Sequence, residues 1–290
     1  MTKADLGQQL FFDPILSLDQ SISCSSCHKP DFAFADTIAF SKGVNNGVAA
    51  RNTPSIMNMA YRPYFFYDGR AASLEEQALT PIEHPDEMNL NFAVAIQRIQ
   101  NQPTYVKAFK EVYASPPDSL TILNTLAEFQ RSLESNGSAP HDQWINDINP
   151  NAMSASQLRG RDLFLEKGKC FDCHFGPDFT GDEFRNIGLY DGKTLQDKGR
   201  FEISGDSTDL GKFKVPGLRN VALTAPYMHN GQFKTLEEVI DYYDDPYDIV
   251  AEPINLDTLI LEPLGLSLQE KKDLVNFLHS LTDVSFPYNF

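Results

Sequence analysis

Apolar residues recur at helical spacing in two well-separated stretches of the chain. Ser267-Leu-Gln-Glu270 forms a capping box, and Leu274, Val275, Leu278 and Leu281 then predict an amphipathic helix running to Thr282. Leu120 to Leu133 predicts a second amphipathic helix. Between them, Asn136-Gly-Ser-Ala-Pro140 and Asn149-Pro150-Asn151 read as breakers and put a boundary near 145–152. The two sides of that boundary resemble each other. Gly7-Gln-Gln-Leu-Phe-Phe is echoed by Gly160-Arg-Asp-Leu-Phe-Leu, and Pro30-Asp31-Phe32 by Pro177-Asp178-Phe179. A repeat of this kind assigns the architecture before propensity does: an all-α protein of two alike domains, 1–148 and 149–290. Each would consist of an entry helix, a central segment and a closing helix. Beta structure should be slight, a short hairpin near 184–203. No run of about 18 apolar residues occurs, so no membrane span is expected.

The chemistry lies between the repeated strings. All four cysteines fall in two copies of Cys-x-x-Cys-His, namely Cys24-Ser-Ser-Cys27-His28 and Cys170-Phe-Asp-Cys173-His174. This is the attachment signature of a c-type haem. Two thiols three positions apart form thioethers to one porphyrin, and the histidine supplies an axial nitrogen. A zinc knuckle uses the same residue types but needs a regularly spaced fourth ligand; His84 and His229 each lie more than 50 residues downstream. A redox thiol pair belongs with a βαβ pattern, and none is present. The expectation is one covalent haem c in each of two cytochrome c-like domains.

Charge and ends narrow the partners. The formal charge of −16 excludes a basic face for nucleic acid and suits a basic partner protein. Met1-Thr-Lys-Ala-Asp-Leu-Gly lacks the basic region and apolar stretch of a signal peptide. Covalent haem attachment normally takes place outside the cytoplasmic membrane of bacteria. A periplasmic or surface-anchored location, with a leader removed, is therefore expected.

Several further strings carry a resemblance. They are Leu10-Phe-Phe-Asp-Pro14, Arg51-Asn-Thr-Pro54, Tyr67-Asp-Gly-Arg70, Pro85-Asp-Glu-Met88, Val215-Pro-Gly-Leu-Arg-Asn220, Leu223-Thr-Ala-Pro-Tyr-Met-His-Asn-Gly231 and Thr235-Leu-Glu-Glu-Val239. In content and order the chain resembles the bacterial dihaem cytochrome c peroxidase superfamily, which includes the MauG enzymes. The resemblance implies an oxidoreductase that uses hydrogen peroxide at the haem of the first domain and an electron-transfer haem in the second.

Matched positions separate the branches. The peroxidases place a methionine ligand fourteen positions after the histidine of Pro-Tyr-x-His; from His229 that count reaches Tyr243, the residue type of the MauG-like branch. A thioether raises a haem's potential, whereas a phenolate is a hard anion that favours oxidised iron. The peroxidases also carry a distal histidine eight residues before the asparagine matched by Asn52. Here that position is Val44, and no histidine occurs between His28 and His84. The first haem should therefore be open to peroxide, unless Met57, Met59 or Met88 coordinates it. Glu87 matches the family's distal glutamate, which moves a proton between the two peroxide oxygens, and His84 could join the proton path. Tyr67 stands where the family usually has a tryptophan between the haems and could relay charge. Trp144 reads as a packing residue near the boundary. The resemblance also implies one calcium ion on the Asn52 side chain and the Thr224 and Pro226 carbonyls, with Arg51 and Arg219 as partners for haem propionates.

The expected function is MauG-like oxidation of a partner protein or other bulky reductant. A cytochrome c peroxidase fed by a small redox protein would need the methionine and the distal histidine. A non-catalytic dihaem carrier or sensor would have two six-coordinate haems and no use for Glu87.

Overall fold

The computed structural model describes residues 1–284. The chain divides into two compact units, Met1–Phe65 with Ala71–Glu134, and Phe66–Arg70 with Ser135 onward. The first contains α1 (Lys3–Phe12), α2 (Cys24–Cys27), α3 (Leu74–Glu83), α4 (Phe92–Gln100), α5 (Pro103–Tyr113) and α6 (Ser119–Arg131). The second contains α7 (Pro140–Ile145), α8 (Ala155–Leu165), α9 (Phe201–Ser204), α10 (Leu236–Asp244) and α11 (Leu268–His279). The fold is all-α, as the sequence pattern predicts, apart from one small sheet.

Each unit is built on one pair of helices meeting at a glycine. In the first, α1 lies against α6 so closely that a Cβ on Gly7 would sit 2.1 Å from the Thr125 carbonyl oxygen. In the second, α8 meets α11, and a Cβ on Gly160 would sit 1.9 Å from the Asp273 carbonyl oxygen. One turn further on, aromatic rings fill the crossing. Phe11 and Phe129 are 5.0 Å apart, with Phe34 beside both; Phe164 and Phe277 are 5.1 Å apart, with Phe179 beside both. The shared Gly-x-x-Leu-Phe string therefore encodes a close helix crossing followed by an aromatic plug. The Ser267–Glu270 capping box forms as expected.

This geometry predicts that Gly160→Val destabilises the protein by about 1–3 kcal/mol or more, since a backbone carbonyl must move to admit the side chain. Denaturant unfolding checks it; an unchanged midpoint would show that α8 and α11 separate freely.

Two expectations differ from the structure. The units divide after Glu134 and not at 148, because α6 closes the first unit and the next segment packs into the second. His141 N donates to the Ser280 carbonyl, and Trp144 lies on the second core under the Arg161 guanidinium. The sheet is not a local hairpin within 184–203 either. β1 (Phe184–Arg185) pairs antiparallel with β2 (Phe213–Lys214), Phe184 opposite Lys214, across a long excursion that includes α9.

Candidate haem sites

In the first unit, Cys24, Cys27 and His28 line a cavity that opens to solvent. The short helix α2 ends at His28, whose N–H donates to the Cys24 carbonyl. The ring Nδ1 meets the Phe34 carbonyl at 2.9 Å. That contact fixes the tautomer and leaves Nε2 as the ligating atom. Burial holds the His28 pKa below its usual value, so the imidazole is neutral. Phe34 delivers its carbonyl from the left-handed region (φ 57°), as does the preceding Ala33 in its own turn (φ 51°).

Glu87 and Met88 line the same cavity, and among the described residues His28 is the only imidazole that lines it. The Glu87 carboxylate lies 3.8 Å from His84 Nδ1, which also accepts the Asp86 N–H at 3.2 Å. The turn carrying Glu87 is fixed by its backbone. Val44 N donates to the Glu87 carbonyl at 2.8 Å, and a Cβ on Gly43 would meet the Asp86 carbonyl oxygen at 2.1 Å. Val44 itself is buried apolar packing. Of the three methionines considered from sequence, Met88 reaches the cavity wall.

Other polar residues line this cavity that sequence reasoning did not single out: Ser23, Ser41, Lys42, Thr53, Gln77 and Gln130. Gln130 is 5% exposed, four residues after the buried Leu126. A glutamine where the helical stripe calls for an apolar residue was the available signal.

The second unit repeats the first. His174 N donates to the Cys170 carbonyl, and His174 Nδ1 meets the Phe179 carbonyl at 2.9 Å. Phe179 has φ 55°, so it takes the role of Phe34 and not of Phe32, the residue that string matching paired with it. Burial lowers the His174 pKa as it does that of His28. The four cysteines are unpaired, and burial pushes Cys24 and Cys170 up to about 12. They are not the acidic thiols of a redox pair.

Two adjacent tyrosines on α10 differ in what their hydroxyls do. Tyr242 is fully buried and donates to the Ile187 carbonyl. Tyr243 has no hydrogen-bond partner among the described residues; its ring packs edge-on against Tyr242 at 5.9 Å. Burial, with Tyr242, Cys173 and Cys170 nearby, holds its phenol well above the usual range. Tyr243 is half-buried, and a phenol hydroxyl with no such partner beside the two thiols suits a haem ligand. Both units thus fit a haem c: each has paired thiols and an aimed imidazole, with a cavity at the first pair and a phenol near the second.

Tyr67 sits in the segment 66–70, which belongs to the second unit. Its carbonyl accepts from Lys214 N at 2.7 Å, and Arg200 Nη1 donates to the Asp68 and Gly69 carbonyls at 2.8 and 3.0 Å. Gly69 has φ 69°, and a Cβ there would meet the Phe184 ring at 2.4 Å. The Tyr67 ring lies edge-on to His229 at 6.4 Å, and His229 stacks on Phe213 at 3.7 Å. Arg219 makes a two-pronged pair with Asp142 (2.6 and 3.0 Å) and meets Asp178 at 3.2 Å, so its fork is occupied by protein carboxylates. Arg51 is half-buried. Asn52 is buried and gives its amide N–H groups to the Ile38 and Ala39 carbonyls, both at 3.2 Å. That leaves its oxygen as the atom a hard cation would use. In the second unit, the Thr224 hydroxyl donates to the Val221 carbonyl, and Pro226 is buried after a cis peptide.

Comparison with known proteins identifies relatives along almost the whole chain. A family described as di-haem cytochrome c peroxidase matches residues 1–149. The chain is 38% identical over 282 residues to the methylamine utilization protein MauG of Methylorubrum extorquens, covering 96% of this chain and 78% of that one. It is 36% identical over 243 residues to the cytochrome c551 peroxidase of Nitrosomonas europaea, covering 82% and 71%. Among solved structures, a MauG-like protein associated with microbial copper homeostasis superposes with a TM-score of 0.90 at 32% identity, over 99% of this chain and 91% of that one. The diheme peroxidase BthA from Burkholderia thailandensis gives 0.86 at 25% identity, over 98% and 86%.

Proposed function

Because the chain belongs to the di-haem cytochrome c peroxidase family and is a haem oxidoreductase, we propose that it takes hydrogen peroxide at the His28 cavity and oxidises a partner protein, or another bulky reductant, through a second centre held by His174 and Tyr243. When bound, a haem c in each unit supplies the redox chemistry, taking peroxide in the first and transmitting oxidising power in the second.

The residues do the rest. Cys24, Cys27 and His28 hold the first group, and Cys170, Cys173, His174 and Tyr243 the second. The Phe34 and Phe179 carbonyls keep both imidazoles in the ligating tautomer. Glu87 accepts the proton of one peroxide oxygen and returns it to the other, with His84 close enough to exchange protons with it. Tyr67, beside His229, is the relay on the second unit's side. The charge of −16 suits a basic partner. A calcium ion that uses the Asn52 side-chain oxygen and a periplasmic location belong to the same reading. Among the described residues no helix is long and apolar enough to cross a membrane.

The observation that carries the reading is the unpartnered Tyr243 hydroxyl beside the Cys170 and Cys173 thiols, next to a Tyr242 whose hydroxyl is engaged. It supports a hard anionic ligand in place of a thioether. The spectrum of the resting ferric holoprotein tests it. One high-spin signal beside one low-spin His–Tyr signal is expected. The charge-transfer band of a thioether-ligated haem would replace the reading with that of a cytochrome c peroxidase. A spectrum left unchanged by added peroxide would remove the catalytic reading.

A further inference from the structure

We infer that Asp36 is a positioning residue of the first centre: its buried carboxylate ties together the two backbone segments that face His28, and its charge lowers the reduction potential of that centre alone. The inference rests on His28 being an axial ligand.

Asp36 is 2% exposed, and both of its oxygens are engaged. Oδ1 accepts from Lys29 Nζ at 2.5 Å and from Thr37 N at 2.6 Å. Oδ2 accepts from the Ser41 hydroxyl at 2.5 Å. The Ser41 proton is thereby committed, so Ser41 accepts from the Thr53 hydroxyl at 2.7 Å. The network reaches His28 from two sides. Lys29 follows His28 and closes the turn that presents the Phe34 carbonyl, through Phe34 N to Lys29 O at 2.9 Å and Lys29 N to Ala35 O at 3.1 Å. Thr53 precedes Pro54, whose backbone also acts on the His28 ring. The two consecutive left-handed residues in this turn, Ala33 and Phe34, persist only where the surroundings over-determine them. The Asp36 tie, with the Ser55 hydroxyl on the Ala33 carbonyl at 2.6 Å, supplies that constraint.

The second unit solves the same problem without a charge. Phe179 and Pro216 supply the backbone groups that act on the His174 ring. The tie between the two segments is the Thr180 hydroxyl donating to the Val215 carbonyl at 2.7 Å. No carboxylate acts on His174, whereas Asp36 acts on His28; the carboxylates Asp172, Glu183 and Asp257 of the second unit reach only the Cys173 thiol and not the imidazole. A buried anion stabilises the more positive, oxidised iron. It would keep the peroxide-facing centre ferric at rest, while Lys29 offsets part of the charge.

The test is a redox titration of the dihaem holoprotein, following the two haem waves separately. Asp36→Asn removes the anion and keeps the hydrogen-bonding shape. It is expected to raise the first wave, changing that reduction equilibrium by about tenfold or more, and to leave the second in place. Lys29→Met removes the offsetting cation and is expected to move the first wave down. Opposite signs identify a charge effect, since loosening His28 would move both variants the same way. Shifts of the same sign, or a first wave unmoved in Lys29→Met, would overturn the inference. If Asp36→Asn fails to assemble, Lys29→Met alone decides by its sign. The titration uses no peroxide, so its outcome is independent of the proposed oxidation.

Discussion

Replacing Glu87 by glutamine slows the reaction of the ferric holoprotein with hydrogen peroxide by roughly a hundred- to ten-thousandfold, the range for loss of a positioned acid–base group. Glutamine keeps the shape but cannot take up a proton at neutral pH. The turn should survive, because what fixes it is the Val44 N–H on the Glu87 carbonyl and the glycine loop pressed against Asp86. Haem content and the resting spectrum should therefore match the parent, and rapid mixing with peroxide reads the effect. A loss below about tenfold would take the acid–base role from Glu87. The neighbouring His84 and the cavity amide of Gln77 would then be the groups to test.

Tyr243→Met carries the second large effect. Methionine converts the proposed phenolate ligand into a thioether, so the second wave should rise in potential and the thioether charge-transfer band should appear. Oxidation of a bulky reductant should fall by about a hundredfold or more, because even second-layer changes at metal sites cost about 10–100-fold. The neighbour is the control. Tyr242→Phe loses the hydrogen bond to the Ile187 carbonyl, worth about 1 kcal/mol, and should leave the spectrum intact. A Tyr243→Met protein with the parent spectrum, beside a changed Tyr242→Phe, would move the ligand to Tyr242.

Much of this was legible because it is local. Cys-x-x-Cys-His places its groups within one turn of chain, so spacing alone announces each attachment site. The Gly-x-x-Leu-Phe repeat announced the helix crossings, since a glycine and a phenylalanine one turn apart do the same work in α1 and α8. A gapless count from His229 points to Tyr243, the ligand proposed above. What stayed hidden depends on residues far apart in sequence. Asp36 looks like any exposed aspartate until folding brings Lys29, Ser41 and Thr53 around it. Arg219 suggested a propionate partner, and only the fold shows Asp142, from α7, filling its fork. The pairing of Phe184 with Lys214 was likewise unreadable, because a two-residue strand carries too little alternation to mark its partner. The match of Phe32 with Phe179 failed for a related reason. The feature that recurs is a left-handed residue whose carbonyl accepts from the imidazole, and similar letters nearby did not mark it.

The segment 66–70 has a consequence for modularity. The backbone passes from the first unit to the second at 65/66, returns at 70/71 and leaves again at 134/135. A single cut cannot separate the halves. A piece ending at 148 would carry these five residues away from Lys214, Arg200 and Phe184, the groups that seat them. The piece left behind would keep that seat with nothing in it. Although the two halves read as copies of one pattern, they are no longer interchangeable parts. A chimaera that borrows the second half from a relative must take residues 66–70 from that relative as well.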